Sequence, residues 1–200
     1  MNGFMRNKIL IILLFSKLFG SNAFSQNTQQ YDISIAGISI GEMTAEKKAV
    51  GEEIHYEIKS NVSFWFFGKI NLDYLTQSVY KNKQLMRADV RSSTNKGDFQ
   101  STIRWNSSKY DIQASNYKFD QETTYDKPLY YSSVSFFFEE PLQVKEFIAE
   151  SYGIISPIKK IKDYYEVEVN GNTNRYYFVD GKLDKAVMEF PVKNYVIKKK

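Results

Sequence analysis

The chain has no cysteine, one histidine and only 4 prolines among its 200 residues. Without cysteine it forms neither disulfide bonds nor thiolate metal sites. A lone histidine, His55, cannot supply the usual histidine cluster of a zinc site or an HExxH motif, so we predict no metal and no other cofactor. The scarcity of proline, together with 15 tyrosines and 15 phenylalanines, favours β-strands.

Catalytic motifs are also missing from the sequence. A Ser–His–Asp triad would have to use His55, and no Gly-x-Ser-x-Gly elbow supplies a nucleophile. There is no GxGxxG or Walker loop for phosphate groups. On a strand, the two side chains of each acidic pair, Glu52–Glu53 and Glu139–Glu140, would point to opposite faces. We therefore interpret these residues as solvated charges. We therefore predict no catalytic residue and no enzyme, although a carboxylate pair brought together by the fold stays open.

Long apolar runs are confined to the N-terminus. Positive residues at Arg6 and Lys8 precede the apolar run Ile9–Phe15, and small residues occupy the −3 and −1 positions of a cleavage site after Ser25. This pattern is typical of a secretory signal peptide and is too short for a good membrane span. We predict cleavage of residues 1–25; the alternative is an uncleaved amphipathic anchor.

The remaining chain, residues 26–200, is expected to be a single antiparallel β domain, periplasmic or secreted, with no stable membrane span. It is nearly neutral, because the leader holds three of the four excess positive charges of the full sequence, at Arg6, Lys8 and Lys17. We therefore exclude nucleic acid as a partner. The C-terminal Lys198–Lys200 indicates a solvated tail or, alternatively, a weak contact with an acidic surface.

Alternation of apolar and polar residues dominates this domain. From Ile54 to Phe66, apolar side chains recur at every second position except Ser60, which predicts a strand with one dry and one wet face. The apolar parity changes by one at Gly41, which predicts a β-bulge. Turn pairs such as Asn170-Gly171 and Asp180-Gly181 separate the strands and predict consecutive hairpins.

One stretch, Tyr130–Pro141, interrupts the alternation. Read as a strand, it would point its phenylalanines to both faces. Read as a helix capped by Ser132 or Ser133 and stopped by the proline, it places three apolar side chains on one side: Val134, Phe137 and Phe138. We predict the helix, and hence an all-β fold with one short helix. Its sheet is a curved antiparallel meander, a half-barrel or open barrel wrapped around that apolar helix.

Four consecutive aromatic residues, Phe64 to Phe67, end the clearest strand. They cannot all face one core, so Trp65 and Phe67 fall on the otherwise polar face. The simpler interpretation is a strand end buried on both sides; the sharper one is an apolar lip of a ligand cavity or a docking patch. Trp105, next to Arg104, permits a similar argument. The candidate ligand-binding residues are Phe64, Trp65, Phe67 and Trp105.

Three segments, Tyr31–Gly41, Glu150–Gly153 and Tyr165–Gly181, resemble an exported bacterial family described as a domain of unknown function. The resemblance implies no activity and no catalytic residue. In architecture alone, the layout is also similar to the curved half-barrels of periplasmic lipoprotein carriers, in which a sheet wraps over helices and shelters an acyl chain.

These observations lead to two hypotheses of function. The first is an exported soluble protein that binds a hydrophobic or lipid-like ligand in the cell envelope. The second is an envelope structural or assembly factor that binds a protein partner through a sheet edge or an aromatic patch. An enzyme ranks third.

The signal peptide is open to a direct test. N-terminal sequencing of the exported protein should begin at Gln26, within a residue or two. A membrane-bound form that retains Met1 would instead support the uncleaved anchor.

Overall fold

A computed structural model describes residues 26–65, 68–95, 97–116, 119–190 and 193–200. The predicted signal peptide lies outside these residues, and so do Phe66 and Phe67. The described chain contains fourteen β-strands and one 3₁₀-helix, Ser133–Phe137. The strands are β1 Gln26–Ile35, β2 Ile38–Val50, β3 Glu53–Trp65, β4 Lys69–Lys81, β5 Gln84–Thr94, β6 Phe99–Trp105, β7 Tyr110–Asn116, β8 Phe119–Tyr125, β9 Glu146–Ala149, β10 Ile154–Ile161, β11 Tyr164–Val169, β12 Asn172–Val179, β13 Lys182–Met188 and β14 Tyr195–Lys199.

All fourteen strands belong to one sheet, in the order β8-β7-β6-β5-β4-β3-β2-β1-β14-β13-β12-β11-β10-β9. Every neighbouring pair is antiparallel. Two meanders, β1–β8 and β9–β14, are thus joined where the first and last strands pair, with Ile33 opposite Ile197. The predicted all-β class and consecutive hairpins are confirmed.

The inward face of the sheet forms the core. On β3, Tyr56, Ile58 and Val62 are buried while Lys59 and Asn61 between them are exposed, as the alternation predicts. Because antiparallel neighbours in register share a face, the same division continues onto the adjoining strands.

The predicted bulge is present in β2. Ile33 lies opposite Gly41 and Ser34 lies opposite Ser39, so that Ile40 is the extra residue. A Cβ atom on Gly41 would lie 2.1 Å from the Asn61 carbonyl oxygen of β3. Glycine is therefore required by the close approach of the two strands, and the bulge bends the sheet around its interior.

The segment Leu129–Phe138, which we call the plug, fills part of that interior. Its helix begins after Ser132, as predicted. The helix is 3₁₀, however, with three residues per turn, so its buried side differs from the predicted α-helical stripe. Phe136 is fully buried and Phe138 only half-buried. The Phe136 ring stacks on Tyr176, with centroids 4.1 Å apart.

Proline favours an edge strand or irregular pairing, and Pro157 lies where the pairing of β10 changes: Ile154–Pro157 pairs with β9, and Ile158–Ile161 pairs with β11. One local expectation is wrong, because the C-terminal lysines are not a solvated tail. Lys198 and Lys199 belong to β14, and Lys200 Nζ lies 3.3 Å from Asp32 and 2.7 Å from Glu42.

Truncation of the plug should destabilise the fold. Phe136→Ala removes a fully buried, stacked ring and should lower the free energy of unfolding by roughly 3–5 kcal/mol, measured by denaturant titration. Leu142→Ala is the control, because Leu142 is 75% exposed and should change stability by less than about 0.5 kcal/mol. Equal stability of the two variants would mean that the plug is not part of the core.

Candidate functional site

The plug occupies one end of the barrel-like interior. The Leu85 N–H, just after the β4–β5 turn, donates to the Leu129 carbonyl at 2.8 Å, which places the start of the plug at that end. The β1–β2, β3–β4 and β5–β6 connections lie at the opposite end, since successive antiparallel turns alternate between the ends of a sheet. The two ends are packed differently.

At the end away from the plug, the inward apolar side chains are half-exposed. We call this surface the mouth, and it comprises Ile40, Phe64, Leu72, Tyr74, Tyr152, Met188 and Tyr195. Deeper along β3, Ile58 is only 4% exposed. Six of the mouth residues lie on β2, β3, β4, β13 and β14, with Tyr195 opposite Met188. The mouth is therefore an apolar surface on both sides of β1 that the plug does not cover.

A buried carboxyl group lies between the plug and the sheet. Glu150 is fully buried. It accepts hydrogen bonds from the Ser133 N–H at 2.7 Å, the Val134 N–H at 3.4 Å and the Ser78 hydroxyl at 3.3 Å. Burial raises the pKa of Glu150. Among the described residues no lysine, arginine or histidine forms an ion pair with it; tyrosines 74, 80 and 176 are its ionisable neighbours.

Hydroxyl groups extend this polar layer. Tyr80 donates to the Ser132 hydroxyl at 2.7 Å, and the hydroxyls of Tyr74 and Ser151 are 2.8 Å apart. Burial, and then the charge of Glu150, raise the pKa of Tyr80, so this phenol remains a donor at neutral pH. The layer ties the plug and the Glu150–Gly153 turn to β4, and it separates the filled interior from the mouth.

The turn after Glu150 packs directly on the sheet. Gly153 has a φ of +63°, and a Cβ atom there would lie 2.4 Å from Ile112 Cγ2. In the sequence, Glu150–Gly153 contributes only to the family resemblance, and the buried glutamate was not predicted. No local signal identifies it, because its burial depends on contacts with Ser133 and Val134 of the plug.

Of the four predicted ligand-binding residues, the three that the structure describes do not lie together in one site. Phe64 belongs to the mouth, whereas Trp65 points to the outer face and is 78% exposed. The simpler interpretation, a strand end buried on both sides, is therefore wrong at Trp65. Phe67 lies outside the described residues. Trp105 packs on Tyr110, with ring centroids 4.7 Å apart. Register places Trp105 roughly 30 Å along the sheet from Trp65.

A second concave surface lies on the outer, polar face. This open groove of about 990 Å³ crosses β2 to β7. Its walls include Glu42, Lys59, Asp73, Leu75, Arg91 and Gln100. His55 lies on the same face, with Nε2 2.8 Å from a carboxylate oxygen of Glu53. The groove is lined by charges of both signs and therefore differs in chemistry from the mouth.

The fold defines a barrel-like β protein with a plugged interior. Residues 31–200 match the model of a domain of unknown function, DUF6134, and the chain belongs to this family. No curated protein matches. A solved structure from Brucella abortus, titled a beta-barrel-like protein of domain of unknown function DUF1849, has 9% sequence identity and a TM-score of 0.53. The match covers 86% of this chain and 94% of that one, and at this identity the likeness concerns the fold alone.

Within the described ranges, no helix is both long and apolar enough to cross a bilayer.

The carboxyl group of Glu150 should make stability depend on pH. Because its pKa is raised in the folded state, the unfolded chain ionises first as pH rises, and the stability contributed by this group is lost from about pH 4.5 upward. Glu150→Gln mimics the neutral acid and removes this loss. The melting temperature of the variant minus that of the wild type should therefore increase between pH 4 and pH 8.

Glu139→Gln is the control, since Glu139 is exposed, and its difference from the wild type should not vary with pH in this way. A Glu150→Gln difference that falls as pH rises would show that the N–H donors favour the charged carboxylate over the neutral acid.

Proposed function

We propose that this protein is exported, acts in the periplasm or outside the cell, and binds a molecule with an extended apolar part, such as a lipid-like compound, at the mouth. One observation carries the proposal. The inward apolar surface is fully buried beneath the plug but half-exposed at the mouth, where Phe64, Leu72 and Met188 lie at the open end of a curved sheet.

The physical driving force is the remaining exposure of these side chains. Burial of apolar surface is favourable by about 25 cal/mol per Å², so a ligand that covers several half-exposed rings and aliphatic chains gains affinity without rearranging the fold. Largely apolar, concave surfaces with a few polar groups are the usual form of small-molecule sites. Three of the mouth residues, Tyr74, Tyr152 and Tyr195, are tyrosines and so also carry a polar hydroxyl group.

The polar layer limits how deep the ligand binds. Glu150, Ser151 and Tyr74 form the boundary between the mouth and the plug. An apolar chain that displaced them would leave buried polar groups unpaired, at about 1–3 kcal/mol each. The ligand is therefore held in the outer half of the interior.

We propose binding without catalysis. Glu150, the fully buried carboxyl among the described residues, accepts hydrogen bonds from the plug backbone. This arrangement gives it a structural part, fixing the plug.

An envelope assembly factor remains the second candidate function. It is supported by β8, which has one strand partner and so presents a free edge in the described sheet. At the other end of the sheet, β9 is bridged by Ser132 to Ile148. Native mass spectrometry of protein from its own host distinguishes the candidates: an apolar ligand supports the first, a stoichiometric protein partner the second.

Two leucines on β4 test the proposed site. Leu72 faces the mouth and Leu75 the outer groove, and both are half-buried. Leu72→Ala should weaken binding of a fluorescent apolar probe such as N-phenylnaphthylamine several-fold, because a contact surface is lost. Leu75→Ala should leave the affinity unchanged.

Thermal melts of both variants show whether either effect follows from unfolding. Weaker binding by Leu75→Ala alone would move the site to the outer groove. A wild-type protein that does not bind the probe would contradict the proposed function.

A further inference from the structure

The edge of the barrel around the mouth carries large exposed apolar side chains. Trp65 is 78% exposed, Ile38 71% and Phe190 48%. Together we call them the rim. These are unusual values for residues of this size, because exposed Trp, Ile and Phe side chains leave extensive apolar surface in water.

The rim residues are neighbours through the register of the sheet. Phe190 follows the end of β13, where Met188 lies opposite Tyr195 of β14. Tyr195 lies opposite Ile35 of β1, which in turn lies opposite Ile38 of β2. Trp65 ends β3, the next strand in the sheet. The rim thus spans five adjacent strands, or roughly 19 Å at the usual strand spacing.

The opposite end of the barrel also exposes apolar side chains, but they are scattered. At the strand ends there, Val50, Ile161 and Val179 are 39%, 36% and 59% exposed, on β2, β10 and β12, no two of which are neighbours in the sheet. Tyr130, in the plug, is 61% exposed and Leu142, beyond the plug, is 75% exposed. The rim differs in that its residues lie along one run of adjacent strands.

Positive charge accompanies the rim. Lys69 lies opposite Trp65, and Lys193 precedes β14. Both are exposed, and neither forms an ion pair with another described residue. The acids nearby are already engaged: Glu189 accepts a hydrogen bond from the Thr173 N–H, and Asp98 from the Ser93 hydroxyl.

We propose that the rim docks on the surface of a lipid bilayer that contains anionic lipids. Tryptophan is favoured at the boundary between water and hydrocarbon, where Ile38 and Phe190 would bury their exposed surface beside it. The free lysines complement anionic headgroups. This inference goes beyond the proposed function, because docking requires no ligand in the mouth. In this orientation the mouth faces the bilayer.

Tryptophan fluorescence tests the docking directly. The chain has 2 tryptophans, so Trp105→Phe leaves Trp65 as the sole reporter. Vesicles of phosphatidylethanolamine and phosphatidylglycerol should shift its emission to the blue, and brominated lipids should quench it. For the reciprocal control, Val179→Trp is combined with Trp65→Phe and Trp105→Phe, placing the sole tryptophan at the opposite end, where emission should not shift.

Sedimentation with the same vesicles gives the affinities. Trp65→Ala should weaken binding about tenfold or more without lowering the melting temperature, since the side chain is exposed. Lys69→Gln should weaken binding roughly fivefold on anionic vesicles and leave binding to phosphatidylcholine vesicles unchanged.

Three outcomes would overturn the proposal: no emission shift at Trp65, an equal shift at position 179, or vesicle binding that persists undiminished in Trp65→Ala, as an uncleaved leader would cause. Binding of the apolar probe is measured without vesicles. Failure of docking and failure of the proposed ligand site are therefore separate results.

Discussion

The hydrogen bonds that Glu150 accepts from Ser133 and Val134 join the plug to the sheet. This connection is important because the sheet is too large for its own side chains to fill its interior. Eight strands can close a barrel that their own side chains fill, but fourteen enclose more space than that. The plug supplies the missing core, and Phe136 stacked on Tyr176 is its centre. The buried carboxyl fixes where the plug ends, and thereby where the interior stays open.

The open part of the interior gives the protein its proposed function. The polar layer around Glu150 and Ser151 limits the depth of the mouth, while half-exposed residues such as Phe64 and Leu72 form its walls. Trp65 adds apolar surface at the edge, outside the mouth. The proposed ligand site and the proposed docking surface lie at the same end of the molecule, so a lipid-like ligand could pass between them without crossing bulk water.

Local patterns predicted much of the fold. Period-two alternation identified strands, the parity change located the bulge next to Gly41, and Ser132 marked the start of the helix. Features that depend on distant contacts were missed. Pairing of β1 with β14 joins the two ends of the chain, so no local pattern reports it. In the sequence nothing distinguishes Glu150 from an exposed acidic residue, because its burial depends on contacts with the plug. Trp65 and Trp105 look alike in sequence, although register places them at opposite ends.

The central claim, an open mouth above a filled interior, is tested most directly by NMR with a spin-labelled fatty acid. The label broadens signals of nearby methyl groups. The structure predicts broadening at Ile40, Leu72 and Met188, which line the mouth, and unchanged signals from Val134 in the plug and Leu75 in the outer groove. Broadening at Val134 would show that the interior is not filled. Broadening at Leu75 without Leu72, or none at all, would contradict the mouth as the binding site.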